Sequence, residues 1–472
     1  MIAVTLLAAV SNETSAGGYL TNTNQNAAFV RNFAQEGTIT LTSIYANPAG
    51  GAFLSDGWHL SLNSQTAFQK RNIETTFPLF QRNVNNPEQT HRFEGEAIAP
   101  VIPSFTVSYN HNKWSLSAHF AIVGGGGKCE FDNGLGSFEA AYSAVLEQKV
   151  PSALPLLLMA GLIEKGIDPI QATALAATGR YDGYSLNSFM KGNSYYFGLQ
   201  VGGTYKFLDN LSGFVGLRGV YATCNYNGAV NPSISYSIPA AGVSGTEALN
   251  NYGIALNCDQ TGFGVTPILG IDWEINKHWN ISAKYELPTK INLKNKSEIN
   301  IASDEVKAQA ASILGQFEDG KKVREDIPGL LACGVQYSPI EKVRLSTGYH
   351  LYFDKSSKKY NDKQKLIDHN THEILFGAEY DICKLVTISA SWETTLYGQS
   401  DAFMNDLSFN LTNNMVGGGV RLHPSKYFNV DLGYMCTFYN KREVMTPTPV
   451  GPKTDVYERK NHTFGIGFNF YL

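Results

Sequence analysis

Few residues in this 472-residue chain stand in a pattern that catalysis requires. The motifs G-x-S-x-G, H-E-x-x-H and G-x-G-x-x-G do not occur. Residues 315–322 approach a phosphate-binding loop, but Lys322 stands where Ser or Thr has to bind magnesium. The alternative is an enzyme whose Ser, His and acidic residue come from separate strands. Nothing in the sequence places such a nucleophile beside a base. We therefore expect no enzyme, no cofactor and no metal.

The cysteines do not form a metal-binding pattern either. They stand at positions 129, 224, 258, 333, 383 and 436, without a C-x-x-C pair or a histidine at zinc spacing. Isolated cysteines of this kind usually act as small apolar side chains. Cys224 and Cys258 flank one long connection, so we predict a disulfide between them in an oxidising compartment.

The composition excludes two classes of protein. Charged residues make up 17% of the chain and the net charge is −4, whereas a nucleic-acid binder would be strongly basic. The longest apolar run, residues 153–163, contains Pro155 and is far shorter than the about 20 residues of a membrane helix. A strand-rich protein with many aromatic residues is the class that remains possible.

The amino terminus resembles a processed leader. Residues 2–10 are apolar and small residues follow, which predicts that 1–16 is the remnant of a signal peptide, although the basic start is missing. A buried strand is the alternative. Residues 17–56 are rich in Asn, Gly and Ala and show no sustained alternation, so we expect a small segment packed inside something larger.

Beyond residue 56 the pattern has the period of two that strands show. Even-numbered residues from Phe428 to Phe438 are apolar, while Asn429 and Asp431 fall on the other side. About fourteen such strands can be assigned, and short turns alternate with long connections, the longest near 128–191, 228–260 and 296–328. This sorting is typical of outer-membrane barrels, whereas a soluble sandwich has no reason to show it.

The predicted fold is therefore all-β: a transmembrane antiparallel β-barrel of about 14 strands over residues 57–472, with an N-terminal plug and helical extracellular loops at 128–191 and 296–328. We expect a monomer in the bacterial outer membrane, in contact with outer-membrane lipid and inserted by the barrel-assembly machinery, with no nucleic-acid partner.

Several segments support a more specific resemblance. They are AGGYL at 16–20, AQEGTI at 34–39, NPA at 47–49, FVGLRGVY at 214–221, LGIDWE at 269–274 and ISAKY at 281–285. In order and spacing the chain resembles outer-membrane transporters of the FadL/TodX type, which carry long-chain fatty acids or aromatic hydrocarbons.

The resemblance implies a hatch at 17–56 and an opening in the barrel wall beside the third strand. The hatch residues would be Gly17 and the motif Asn47, Pro48 and Ala49. The third strand ends in four glycines, Gly124, Gly125, Gly126 and Gly127, which weaken strand pairing. A flexible strand end is the alternative interpretation of these glycines.

Two sets of residues are candidates for holding a ligand. The connection 128–191 contains two helical segments with apolar residues between them, and these would form an outer groove: Leu154, Leu157, Leu158, Met159, Leu162 and Ile163. Alternatively, the two helices pack on each other. A second helix is predicted over 303–325.

Inward-facing Arg218, Lys284 and Arg344, with His350, could meet an anionic headgroup, although pairing with Glu286 and Asp431 is favoured because buried charges need partners. The predicted function is passive, ligand-gated uptake of hydrophobic compounds such as fatty acids, with lateral exit near the third strand. A general diffusion porin for hydrophilic solutes and an adhesin-like barrel are the alternatives.

Overall fold

Long antiparallel strands dominate the computed structural model, which describes residues 26–302 and 314–472. The helices are α1 Ala27–Arg31, α2 Gly136–Glu164 and α3 Pro169–Ala176. The strands are β1 Gly57–Thr76, β2 Thr90–His111, β3 Trp114–Phe131, β4 Arg180–Leu208, β5 Leu211–Ile238, β6 Val243–Ala248, β7 Ile254–Asn276, β8 Trp279–Glu286, β9 Asn292–Ile301, β10 Lys322–Arg324, β11 Leu330–Ile340, β12 Val343–Tyr352, β13 Thr371–Cys383, β14 Val386–Leu396, β15 Asn413–Ser425, β16 Phe428–Tyr439, β17 Arg442–Thr446 and β18 Lys453–Tyr471.

The strands close into a barrel. Strand β1 pairs with β2 on one side and with β18 on the other, in a register that runs from His59 opposite Tyr471 to Thr76 opposite Thr454. Strands β8 and β9 together make one wall strand, while β6, β10 and β17 are short additions beside long connections. The predicted closed barrel of fourteen wall strands is confirmed.

The alternation of side chains along each strand separates an apolar outside from a polar inside. On β5, Val215 and Leu217 point outwards and are 68% and 51% exposed, whereas Ser212 and Arg218 point inwards and are buried. A soluble monomer rarely exposes so much contiguous apolar surface. The outer face is therefore built for lipid.

Residues 26–56, which we call the N-terminal segment, lie inside the barrel. All five residues of α1 are buried, and short 3₁₀ turns follow at Leu41–Ser43 and Ala49–Phe53. Glycines on the wall make room for this segment: a Cβ on Gly417 would lie 2.4 Å from the Phe33 ring. The predicted signal remnant at 1–16 and Gly17 lie outside the described residues.

The loop helix α2 is longer than the sequence predicted. It continues from the expected helix through the leucine-rich stretch to Glu164, although Pro151 and Pro155 lie within it. Its length and composition alone would suit a membrane span. Instead, a stripe of buried side chains at every fourth position packs it against strands β4 and β5, which outweighs the local cost of the prolines.

Two predictions are corrected. The first concerns the predicted helix over 303–325 and the helical loop at 296–328, of which residues 303–313 lie outside the described residues. The described part is strand on both sides: residues 292–301 form β9, and Lys322–Arg324 form β10. The two strands pair with each other, and Val323 is buried there.

The second concerns the predicted disulfide. Cys224 and Cys258 are free thiols: Cys258 faces Tyr226 across the ladder, two residues along from Cys224. Such diagonal neighbours stand about 7–8 Å apart, too far for a disulfide.

Substitution of Gly417 tests the fit of the N-terminal segment. Gly417→Ala should lower the free energy of unfolding by about 1–3 kcal/mol, because the added methyl group overlaps the Phe33 ring. The control Gly203→Ala, where the nearest atom would be 3.6 Å away, should change it by less than about 1 kcal/mol. Denaturant titration of the reconstituted barrels measures both, and equal effects would contradict this packing.

Candidate functional site

The barrel interior between the N-terminal segment and the long loops, which we call the chamber, is apolar. Buried side chains pack together there in a continuous group, the lumen cluster, which includes Val123, Phe131, Met190, Tyr226, Phe317 and Tyr457. Tyr45 of the N-terminal segment packs against this cluster. A porin lumen, in contrast, is polar.

The wall beside this chamber is interrupted between β2 and β3. Ladder pairs join Glu96 to Glu130 and Phe105 to Phe120, but no pair joins 97–104 to 121–129, all of which the structure describes. On its other side β3 loses register with β4 at Gly124 and again before Gly127. The segment has therefore shifted away from a regular ladder.

The four-glycine run produces this shift. Gly125 and Gly127 have φ values of +106° and +64°, a region that other residues avoid. A Cβ on Gly125 would also lie 2.2 Å from the carbonyl oxygen of Ser194. Gly126, Gly127, Cys129 and Phe131 line a cavity of about 50 Å³ at the same point. This small cavity therefore lies at the point where the wall is interrupted.

The floor of the chamber carries charge. Arg218 and Lys284 both contact Glu286, with N–O distances of 2.5 and 2.8 Å, and all three side chains are buried. Lys284 also donates to the carbonyl oxygen of Tyr45 at 2.9 Å, and both cations lie over the Tyr45 ring. We call these four residues the Arg218 site. Two cations against one carboxylate leave it with an excess positive charge.

Three nitrogen atoms at or beside the Arg218 site lack a hydrogen-bond partner among the described residues. They are Nε2 of His119, Nε2 of Gln200 and Nε of Arg218, each on a residue that is at most 2% exposed. The His119 ring lies 4.9 Å from the Tyr45 ring. Buried polar groups are normally paired, so these three nitrogen atoms are available to a ligand or to water.

Sequence reasoning missed His119 and Gln200, although both have the inward parity of their strands. His119 follows Ser115 on the buried face of β3, and Gln200 faces His119 across the β3–β4 ladder. The alternation along each strand was enough to predict that both side chains point inwards. The bend of β3 directly above them could not be predicted, because it depends on the register with both neighbouring strands.

Arg344 lies apart from Arg218 and Lys284. It is near the short-turn end, where it pairs with Glu379 at 3.0 Å and Asp381 at 2.6 Å. A cavity of about 1160 Å³ opens there, below the N-terminal segment. Asp431 pairs with Arg31 and Arg421 rather than with the lumen cations that the sequence suggested.

The Asn-Pro-Ala motif attaches the N-terminal segment to three wall strands. Asn47 donates to Asp272 of β7 and, at 3.1 Å, to the carbonyl oxygen of Thr38. The carbonyl oxygens of Pro48 and Ala49 accept from Thr204 and Ser212. The motif therefore holds the segment across the barrel by side-chain and backbone bonds together.

The six candidate residues of the outer groove divide into two groups. Leu154, Leu158 and Leu162 are buried against α3, β4 and β5. For these three residues the alternative interpretation, in which the helices simply pack on each other, is the better description. Leu157 and Met159 are partly buried, and Ile163 is 39% exposed. Only the second group has surface left for another molecule.

Comparison with known proteins identifies the architecture. The chain matches a FadL homologue from Pseudomonas aeruginosa with a TM-score of 0.63 and 13% identity, over 96% of this chain and 99% of that one. The toluene transporter TodX from P. putida gives 0.53 and 10% over 92% and 94%, and the monoaromatic hydrocarbon channel CymD gives 0.52 and 9% over 97% and 99%. The chain shares the fold of these channels. No protein-family model matches it, and no curated protein does.

The Asn47 attachment can be tested by substitution. Asn47→Ala removes a buried hydrogen bond to Asp272, so amide exchange in residues 26–56 should become roughly tenfold faster. In the control Asn225→Ala, an exposed bond to Asp259 is lost and exchange in 26–56 should stay unchanged. Hydrogen–deuterium exchange with mass spectrometry separates the two, and an unaltered Asn47→Ala pattern would contradict the attachment.

Proposed function

We propose that the protein is an outer-membrane channel for passive, ligand-gated uptake of hydrophobic compounds such as long-chain fatty acids. The observation that carries the proposal is the apolar lumen cluster, which packs against Tyr45 of the N-terminal segment and includes Phe131 of β3 beside the β2–β3 interruption. In the proposal, the N-terminal segment is the hatch. An open porin would instead need a continuous aqueous path. The FadL and TodX folds support the same class of function.

The first step is capture from water. The exposed and partly buried residues of α2, Leu157, Met159 and Ile163, offer apolar surface at the long-loop end. A hydrophobic molecule gains about 25 cal/mol per Å² of its surface that leaves water. It gains again on entering the lumen cluster, so both steps are downhill and need no coupled energy source.

The second step is recognition at the Arg218 site. A carboxylate there would receive hydrogen bonds from donors that lack partners among the described residues, and it would offset the excess positive charge. It would also compete with the Tyr45 carbonyl for Lys284. Ligand binding would therefore loosen the contact that holds the hatch to the floor, which provides the gate.

The third step is exit through the wall. The interruption at Gly124, Gly125, Gly126 and Gly127 opens the chamber toward the apolar outer face. An apolar chain would move sideways into lipid there, instead of crossing the charged region at the short-turn end. A neutral aromatic hydrocarbon is the second candidate ligand, since the TodX and CymD folds match and only the headgroup step would be omitted.

Lys284 distinguishes the two ligands. Lys284→Gln should weaken fatty-acid binding roughly tenfold or more through loss of one charge-assisted hydrogen bond. It should not lower toluene uptake, because a neutral ligand needs no headgroup contact and the variant also loosens the hatch. The exposed Lys290→Gln serves as the control. Equal loss for both ligands would exclude a headgroup role. Fluorescent fatty-acid binding and labelled toluene uptake measure the two.

Cys129 reports on the wall opening. In a Cys383→Ser background, which removes the exposed thiol, a lipid-soluble maleimide should label Cys129 at least tenfold faster than the fully buried Cys258, because Cys129 lines the cavity at the interruption. Mass spectrometry of peptides gives the rates. Equal labelling of the two thiols would argue that the wall is closed.

A further inference from the structure

Four ionisable side chains meet where the N-terminal segment touches β12, β13 and β14. His350 of β12 lies 2.8 Å from Glu36 of the segment through Nε2 and 2.8 Å from Glu373 of β13 through Nδ1. Glu393 of β14 stands next to Glu373. The three carboxylates are at most 3% exposed. We call these residues the Glu36 cluster.

The two contacts of His350 favour the charged form of its ring. Each ring nitrogen of His350 faces a carboxylate oxygen, and only an imidazolium has an N–H on both nitrogens. His350 is thus the positive charge between the hatch and the wall. Its two carboxylates are not equivalent, however.

Glu373 has other donors, whereas Glu36 depends on the histidine. Glu373 also accepts from the hydroxyls of Tyr352 and Thr395, at 2.9 and 3.2 Å. Glu36 receives the Nε2 bond on Oε1, and its Oε2 has no partner in residues 26–302 and 314–472. If His350 loses a proton, Glu36 is the carboxylate that loses its bond.

Glu393 shares the Thr395 hydroxyl with Glu373. The hydroxyl oxygen lies 3.2 Å from Glu373 and 3.4 Å from Glu393, and its single proton can serve only one of them. Three adjacent buried carboxylates with one imidazolium therefore favour a second proton, on Glu393, since like charges in one site hold protons.

The wall is shaped for Glu36. A Cβ on Gly334 would lie 2.4 Å from the Glu36 Cβ, and a Cβ on Gly348 would lie 2.4 Å from Glu36 Oε2. Glycine at these two inward positions therefore leaves the space that the glutamate fills. The contact is part of how the segment seats in the barrel.

We infer that the Glu36 cluster is a proton-binding site that holds the hatch shut, in which the proton on His350 bridges the N-terminal segment to the wall. The inference rests on the hatch role under the proposed function, but not on any ligand. Other titratable groups around the cluster are Cys333 of β11, Tyr352 of β12 and Tyr45 of the N-terminal segment.

The sign of the pH effect follows from the partners. A histidine bridging two carboxylates contributes stability that is present at low and neutral pH and is lost as rising pH removes its proton. Loss of that proton frees Glu36 and loosens the hatch.

Ion conductance of the full chain in a planar lipid bilayer, recorded without hydrophobic ligand from acid to alkaline pH, tests the inference. Wild type should open more often as the pH rises into the alkaline range. Glu36→Gln and His350→Gln should already open roughly tenfold more often at neutral pH, with a flattened alkaline rise. Glu393→Gln should keep the wild-type profile, because the amide resembles the protonated acid.

His372→Gln is the matched control, since His372 contacts Tyr349 on the exposed outer face beside Glu373. Heat-modifiable migration in gels checks that each barrel is folded. An unchanged His350→Gln profile would overturn the inference, and so would Glu393→Gln opening as readily as Glu36→Gln. Because the recordings contain no ligand, failure of hydrophobic uptake would leave this result intact.

Discussion

Everything in this molecule depends on the closed ladder of backbone hydrogen bonds between strands. Inside a bilayer an unpaired N–H or C=O group costs several kcal/mol, so a sheet can cross only when its first and last strands meet, as β1 and β18 do here. Once the wall is closed, its outer face is free to be apolar. The inner face then has to accommodate polar residues, and the N-terminal segment provides partners for many of them.

The interruption between β2 and β3 is notable against this background. Residues 97–99 and 102–104 keep their pairing with β1 on the far side, and β3 keeps its pairing with β4 apart from the register shifts at the glycines. The wall therefore loses its ladder at one place and keeps it on both flanks. Such a local defect can persist only because the remaining register is extensive.

Charge plays two roles inside the barrel. At the short-turn end, Arg31 reaches Glu379 and Asp431, so the segment is tied to the wall by a saturated network. At the Arg218 site the balance is incomplete and donors lack partners among the residues described. The two regions therefore differ in charge balance, although both consist of the same residue types.

The sequence was a good guide wherever the pattern was local. Alternation along β16 and β18 and the sorting of turn lengths were sufficient for the closed barrel. It was a poor guide where distant strands decide the outcome. The offset of Cys224 and Cys258 depends on register, and α2 passes two prolines because Leu154 and Leu158 find partners on β4 and β5. Arg218 and Lys284 pair with Glu286, as the sequence predicted. Asp431 pairs with Arg31 of the N-terminal segment, and the position of that segment could not be predicted from the pattern of the strands.

Strands β4 and β5 are 29 and 28 residues long, whereas about 9–11 residues suffice to cross a bilayer. Most of this hairpin therefore stands outside the lipid as a rigid stalk, and it carries the α2–α3 pair at its tip. A molecule approaching from the medium meets protein well before it reaches the membrane surface. The height of the barrel above the membrane is thus set by the length of its strands, and a paired sheet resists bending in a way that a flexible loop of equal length would not.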